Sequence, residues 1–358
     1  MTGRWLRCYR LLITIVIVAL LPGVAQAAEL DGAALGWVWG MPFAGILLSI
    51  ALGPLLFPKI WHTHYGKIAA GWALLTLLPI TLVYGWQTAL AAAIHALLGE
   101  YLSFIVLLFA LFTVSGGILV TGTMRGTPLL NTMLLTLGTI FASLIGTTGA
   151  AMVLIRPLIR ANIGRQHNVH VIVFFIILVA NVGGALSPLG DPPLFVGFLR
   201  GVDFFWPLQQ LWPQTLIVAG ILLVLFFLVD LWFARHEPRS RSKLEPVGFR
   251  GGINFVLIAA IIAMILLSAE WQPGIVFDVY GTKVALQNLV RDGALVLIAL
   301  LSLWLTADEH RSANDFTWEP IREVAKLFAG IFIAIIPVLA MLGAGKHGLF
   351  APLLDVVT

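Results

Sequence analysis

The stretch Ala180-Asn-Val-Gly-Gly-Ala-Leu-Ser-Pro-Leu-Gly-Asp-Pro-Pro-Leu-Phe195 decides the fold, because it places helix breakers and polar groups inside a segment otherwise apolar enough to cross a bilayer. Hydrocarbon offers no partner to unwound backbone, so such a break persists at membrane depth only where it packs in protein or lines a hydrated cavity. There the freed carbonyls and half-helix ends become an ion or substrate site. The break is therefore read as a transport site. Its sharpest feature is Asp191, the only carboxylate between Glu100 and Asp203.

The rest of the chain belongs to the same class. Hydrophobic residues make up 60% and charged residues 11%, and the mean hydropathy of +1.00 excludes a soluble enzyme. The net charge of +4 does not mark a nucleic-acid partner, since the cations sit in short loops between apolar spans. Arg4, Arg7 and Arg10, the apolar run 11–21 and then Ala25-Gln26-Ala27 form the pattern of a signal peptide over residues 1–27, cut before Ala28. Cys8, the single cysteine, leaves with it. The mature chain then has no disulfide, thiolate ligand or cysteine nucleophile.

Apolar runs at 37–57, 68–85, 101–122, 170–200, 213–233, 253–269, 293–306 and 326–344 are read as spans of a core about 30 Å thick. Residues 129–161 behave differently. They are apolar up to Ile145, then Gly146-Thr147-Thr148-Gly149-Ala150 interrupts, and Arg156 and Arg160 follow. A second arm from 151 to 156 or 160 would cover roughly 9 to 15 Å as helix, too little to cross. The segment is read as a re-entrant hairpin with GTTGA at its tip. Loop charge agrees, because with an external mature N-terminus this reading puts fourteen Lys and Arg inside and four outside. A full crossing would instead move the basic run Arg235 to Arg250 outside.

The element order repeats. Span, span, amphipathic stretch (86–100), span, hairpin and broken span describe the first repeat within 28–205. A linking span and basic cytoplasmic loop fill 206–252, and span, span, amphipathic stretch (314–323) and span begin again within 253–358. One unit starts outside and the other inside, the pattern of inverted-topology repeats around an alternating-access site. The expected fold is thus an all-α polytopic membrane protein of the inverted-repeat secondary-transporter kind. Its second repeat is read as incomplete, since residue 358 falls where a second hairpin would begin.

At this point GTTGA followed by NVGGALSPLGDPP resembles the first half of the ion-transporter superfamily, which includes NhaD-type sodium/proton antiporters, citrate and dicarboxylate carriers and arsenite carriers. The resemblance covers about 37–344. It implies that the hairpin tip (Gly146, Thr147, Thr148) and the unwound loop (Asn181, Gly183, Gly184, Ser187, Gly190, Asp191) hold sodium and contact substrate, in a multi-pass protein of the cell inner membrane that often forms dimers. Two departures favour the antiporter branch. The dicarboxylate carriers carry Ser-Asn-Thr at the tip where this chain has Gly146-Thr147-Thr148, and Gly-Ser-Pro-Pro where it has Gly190-Asp191-Pro192-Pro193.

The chemistry of the residues points the same way. Hydroxyl, amide and carbonyl oxygens are hard donors suited to sodium, and Asp191 supplies compensating charge. One carboxylate holds either a proton or a sodium ion, which couples the two by competition. The expected function is sodium/proton exchange by alternating access, with sodium as the transported or coupling ion, no other cofactor and no enzymatic activity. The alternative is sodium- or proton-coupled transport of citrate or another carboxylate or oxyanion. Plainer roles stand beside these. Asp191 could cap a short helix over 192–201, Asn181, Ser187, Thr147 and Thr148 could satisfy local backbone, and the glycines could serve close packing. Asp230 and Glu270 are read as solvated span ends, and His62/His64 and His167/His170 as pairs lacking the further ligands a metal needs.

Overall fold

The computed structural model describes residues 30–237 and 245–352. The expected signal peptide, residues 1–27, lies outside the described residues. Helices dominate, and eight of those described are long and apolar enough to cross a membrane. A further pair, Glu319–Ala334 and Ile336–Gly343, passes the same test together but bends by 43°. The expectation of an all-α polytopic membrane protein holds.

The chain packs as two compact units that do not follow the linear order of the repeats. The first takes the described residues up to Ser103, then Pro273–Leu289 and the chain from Glu319 onward. Its helices are α1 (Met41–Leu56), α2 (Pro58–Tyr84), α3 (Trp86–Ile94) and, late in the chain, α13 (Glu319–Ala334) and α14 (Ile336–Gly343). Ile46, Trp61, Tyr65, Ala69, Leu327 and Ala334 form its apolar centre. Small residues bring the helices together, as where a Cβ on Gly330 would lie 2.9 Å from Ala69. Strands β3 (Val276–Val279) and β4 (Thr282–Ala285) make a hairpin. Its two-residue turn places Tyr280 and Gly281 at positive φ, as such turns require.

The second unit comprises Phe104–Gln272 and Val290–Trp318. Helix α3 runs through a π-helical segment, His95–Tyr101, into α4 (Leu102–Ser115). The amphipathic stretch and the following span are therefore one 30-residue candidate span, Trp86–Ser115. That span ends earlier than its hydropathy suggests. Gly116 and Gly117 break the helix, and β1 (Leu119–Thr123) pairs antiparallel with β2 (Glu245–Arg250).

Helices α5 (Pro128–Ile145) and α6 (Thr147–Asn162) form the hairpin. The expected short second arm is corrected, because α6 restarts at Thr147 with no wide tip loop. Its 16 residues make an arm of roughly 24 Å. The chain nonetheless returns on itself, for the Gly126 amide donates to the Ala161 carbonyl at 2.8 Å. The broken span follows as α7 (Val169–Leu178), a 3-10 turn (Val182–Leu186) and α8 (Pro192–Leu199). Helices α9 (Trp206–His236), α10 (Ile253–Glu270), α11 (Leu286–Leu305) and α12 (Asp308–Ala313) complete the order.

Candidate functional site

The tip is built around Gly146, whose φ of +79 ends α5 and starts α6 in a conformation that favours glycine. A Cβ there would also lie 2.9 Å from the Leu189 carbonyl oxygen. Across this contact the Thr147 hydroxyl donates to the Gly190 carbonyl at 3.1 Å. The Ser143 hydroxyl, one turn before the tip, donates to the Gly183 carbonyl at 2.5 Å. The Ser187 hydroxyl donates in turn to the Ser143 carbonyl. Three side chains thus satisfy carbonyls that helix breaking leaves free, as unwound backbone at membrane depth requires.

Glycines set how closely the halves approach. A Cβ on Gly190 would run into the Gly184 carbonyl, and one on Gly184 would lie 2.8 Å from the Thr147 methyl. Gly183 sits against the Thr139 carbonyl and Ala142. Gly146, Thr147, Gly183, Gly184, Ser187 and Gly190 are therefore brought together. Thr148 is exposed at the tip. Asn181 does not join the group, because its amide turns back to the Ile176 carbonyl at 2.8 Å and serves the end of α7.

Asp191 occupies the N-cap position of α8 without capping it through its side chain. The sequence explains why. An N-cap carboxylate accepts from the amides two or three residues on, and Pro193 has no amide to give. The amides of Leu194 and Phe195 bond instead to the Asp191 backbone carbonyl, at 3.1 and 3.2 Å. Its half-buried carboxylate stays available beside the positive end of α8.

The start of α6 is also uncapped. Gly146 has no side chain to offer, and the first helical bond runs from the Ala150 amide to the Gly146 carbonyl at 3.0 Å. The amides of Thr147, Thr148 and Gly149 precede that bond. They lie where a helix end presents partial positive charge and unsatisfied donors. The site thus combines an anion-favouring helix terminus with one unengaged carboxylate.

At the other end of the hairpin lies a buried polar network that sequence reasoning missed. Asp230, expected to be a solvated span end, is fully buried. It pairs with Arg165, accepts from the Asn131 amide at 2.9 Å and lies 2.8 Å from His170 Nε2. Asn131 and Asn162 exchange hydrogen bonds of 3.0 and 2.8 Å between α5 and α6. Arg165 Nε donates to Glu237 at 3.0 Å, and Glu237 also accepts the His167 amide at 2.7 Å. Burial opposes ionisation of Glu237, but the His167 amide and the Arg165 guanidinium outweigh it and hold the carboxyl below its ordinary range. Both histidines stack on Phe233. Among the described residues no cluster of three or more His, Cys, Asp or Glu is placed to hold a metal ion.

Further polar contacts join the last turns of α11 to neighbouring elements. Ser302 and Thr306 bond to the buried Asn254, and the Arg311 guanidinium donates to the Ser302 and Thr306 carbonyls at 3.0 and 3.2 Å. Burial lowers the pKa of Arg311 against the opposing charge of Asp308, yet a guanidinium keeps its proton. Asn314 donates to the Gly116 and Ile118 carbonyls that follow α4.

A family profile described as "Putative citrate transport" matches residues 32–358, which include the hairpin, the broken span and every described candidate span. The chain belongs to that family. No curated protein and no solved structure matches it. Family and fold together make this a multi-pass membrane protein of a transport family, and they point to a transporter rather than an enzyme.

Proposed function

We propose that this protein carries citrate or a related carboxylate across the membrane, driven by a sodium or proton gradient. The observation that carries the reading is the uncapped start of α6 at the hairpin tip, where three amides and the helix dipole favour an anion. Family membership supports the same substrate class. Asp191 supplies the coupling. A polycarboxylate is repelled by a second negative charge close by unless a cation accompanies it. Binding a proton or sodium ion at Asp191 and its neighbouring oxygens therefore favours substrate binding.

A second reading, sodium/proton exchange without an organic substrate, draws on the same unengaged carboxylate. The two separate in one experiment. The full-length protein is reconstituted in proteoliposomes containing a pH-sensitive dye, and labelled citrate is added outside under an imposed sodium or proton gradient. Citrate accumulation that collapses with the ion gradient is the expected result. Sodium-driven proton movement that is indifferent to citrate, with no citrate uptake, overturns the carboxylate reading in favour of exchange.

A further inference from the structure

The tip has a third wall that the sequence does not single out. Ser115, the last residue of α4, is completely buried, and its hydroxyl has no hydrogen-bond partner. It lies against the first turn of α6, where a Cβ on Gly149 would come within 2.7 Å of Ser115 Oγ. Leu111, one turn earlier in α4, lies 3.5 Å from where a Cβ on Gly146 would stand. The end of α4 thus flanks the uncapped start of α6, and Gly149 is the residue that lets the hydroxyl approach it.

An orphaned buried hydroxyl is destabilising, and this one stands beside the first turn of α6, whose amides precede the first intrahelical bond. The sign of the ligand follows from the helix end. A helix N-terminus repels a cation and favours an anionic oxygen. A hydroxyl beside it has one proton to donate to that oxygen.

Resting on the carboxylate reading above, we propose that Ser115 is a specificity-determining residue, donating a hydrogen bond to a substrate carboxylate seated on the first-turn amides of α6. The hydroxyl is sealed in this structure, so the carboxylate reaches it as the last turn of α4 and the first turn of α6 part. Thr147, already bonded to Gly190, keeps the tip joined to the broken span while this happens. Ser115 then acts on the substrate, whereas Ser143 and Ser187 act on backbone.

Thermal unfolding of the purified full-length protein, titrated with citrate in sodium buffer, tests the assignment. Ser115→Ala removes an unpartnered group. Its ligand-free midpoint is expected to equal or exceed that of the wild type, while the citrate concentration for half-maximal stabilisation rises roughly ten-fold or more, as for a lost hydrogen bond to a charged group. Ser115→Cys, nearly the same size with a weaker donor, falls between. A wild-type citrate response retained in full by Ser115→Ala overturns the assignment and leaves the transport reading standing. A lowered ligand-free midpoint with an unchanged citrate response also overturns it, because the hydroxyl then serves the fold. No citrate response in the wild type sinks the carboxylate reading and this assignment with it.

Discussion

At the scale of single residues, Asp191 shows how two prolines turn a structural position into a chemical one. A carboxylate at an N-cap is normally consumed by the amides it faces. Pro192 and Pro193 start α8 while withholding their amides, so the helix forms and the carboxylate stays unengaged. Pro193→Ala supplies the missing amide two residues after Asp191. It should draw the carboxylate into a cap and raise, several-fold, the sodium or proton concentration needed for half-maximal citrate uptake. Pro192→Ala restores only the adjacent amide, which an N-cap side chain does not reach, and should leave that dependence unchanged. Equal effects of both variants would refute the capping argument. Asp191→Asn removes the charge that a cation would compensate, and citrate uptake by that variant should no longer follow the ion gradient.

At the scale of elements, the hairpin is fastened at both ends by unlike means. Its tip uses neutral hydroxyls on carbonyls (Thr147, Ser143, Ser187), and its open end uses the buried pair Arg165–Asp230. Removing one partner of a buried pair leaves the other charge uncompensated and typically costs about 3–5 kcal/mol. Arg165→Met should therefore destabilise strongly by thermal unfolding, and adding Asp230→Asn should recover part of the loss. Additive losses would mean that the pair is not coupled. Glu237 gives the same element a pH dependence. Its folded pKa lies below the unfolded one, so its contribution is fully present above the unfolded value, roughly pH 4, and disappears as pH falls through the folded value. Glu237→Gln should be less stable near neutrality and lose less on acidification than the wild type.

These two ends differ in legibility for a physical reason. The tip and the break were legible because GTTGA and NVGGALSPLGDPP put polar and helix-breaking residues where lipid allows neither. The open end was not legible. Asp230 is an ordinary-looking residue six positions from the end of a long apolar helix, and its partners Arg165 and Asn131 are 65 and 99 residues away in sequence. Nothing in local pattern reports such pairing. Ser115 was invisible for a related reason, since a lone serine at a helix end signifies nothing until Gly149 is seen against it. The length of α6 is not legible because its polar first turn, Thr147-Thr148-Gly149, reads as loop although it is helix.

At the scale of the whole molecule, contacts between distant loops constrain the parity of the crossings. Strand β1 follows α4, β2 precedes α10, and the two pair. Arg160 of the hairpin donates to Val120 in β1, and Asn314, after α11, holds the carbonyls that follow α4. Arg125, Arg160, Arg250 and Arg311, in or beside these segments, are assigned to the inside by loop charge. Their direct contact in the second unit supports a shared side of the membrane for them. It requires an even number of crossings between Gly126 and Ala161, and a re-entrant hairpin provides none. Exposed tryptophans at helix ends fit the same scheme, with Trp86, Trp206 and Trp271 at outer ends and Trp232 and Trp304 at inner ends, where such rings anchor at the interface. Cysteine accessibility tests it, and the sequence helps because Cys8 is the only native cysteine. Gly126 is unsuitable for substitution, since a Cβ there would meet Asn162 and the Ala161 carbonyl, but Arg125, Gln166 and Lys283 are exposed. In a Cys8→Ala background, single cysteines at positions 125 and 166 should both be shielded from an impermeant thiol reagent added to intact cells and both react after permeabilisation. A cysteine at 283, in β4, should react without permeabilisation. Opposite accessibility of 125 and 166 would make residues 128–162 a single crossing, reverse the sidedness of every later span, and leave the contact between β1 and β2 without a shared side of the membrane to occupy.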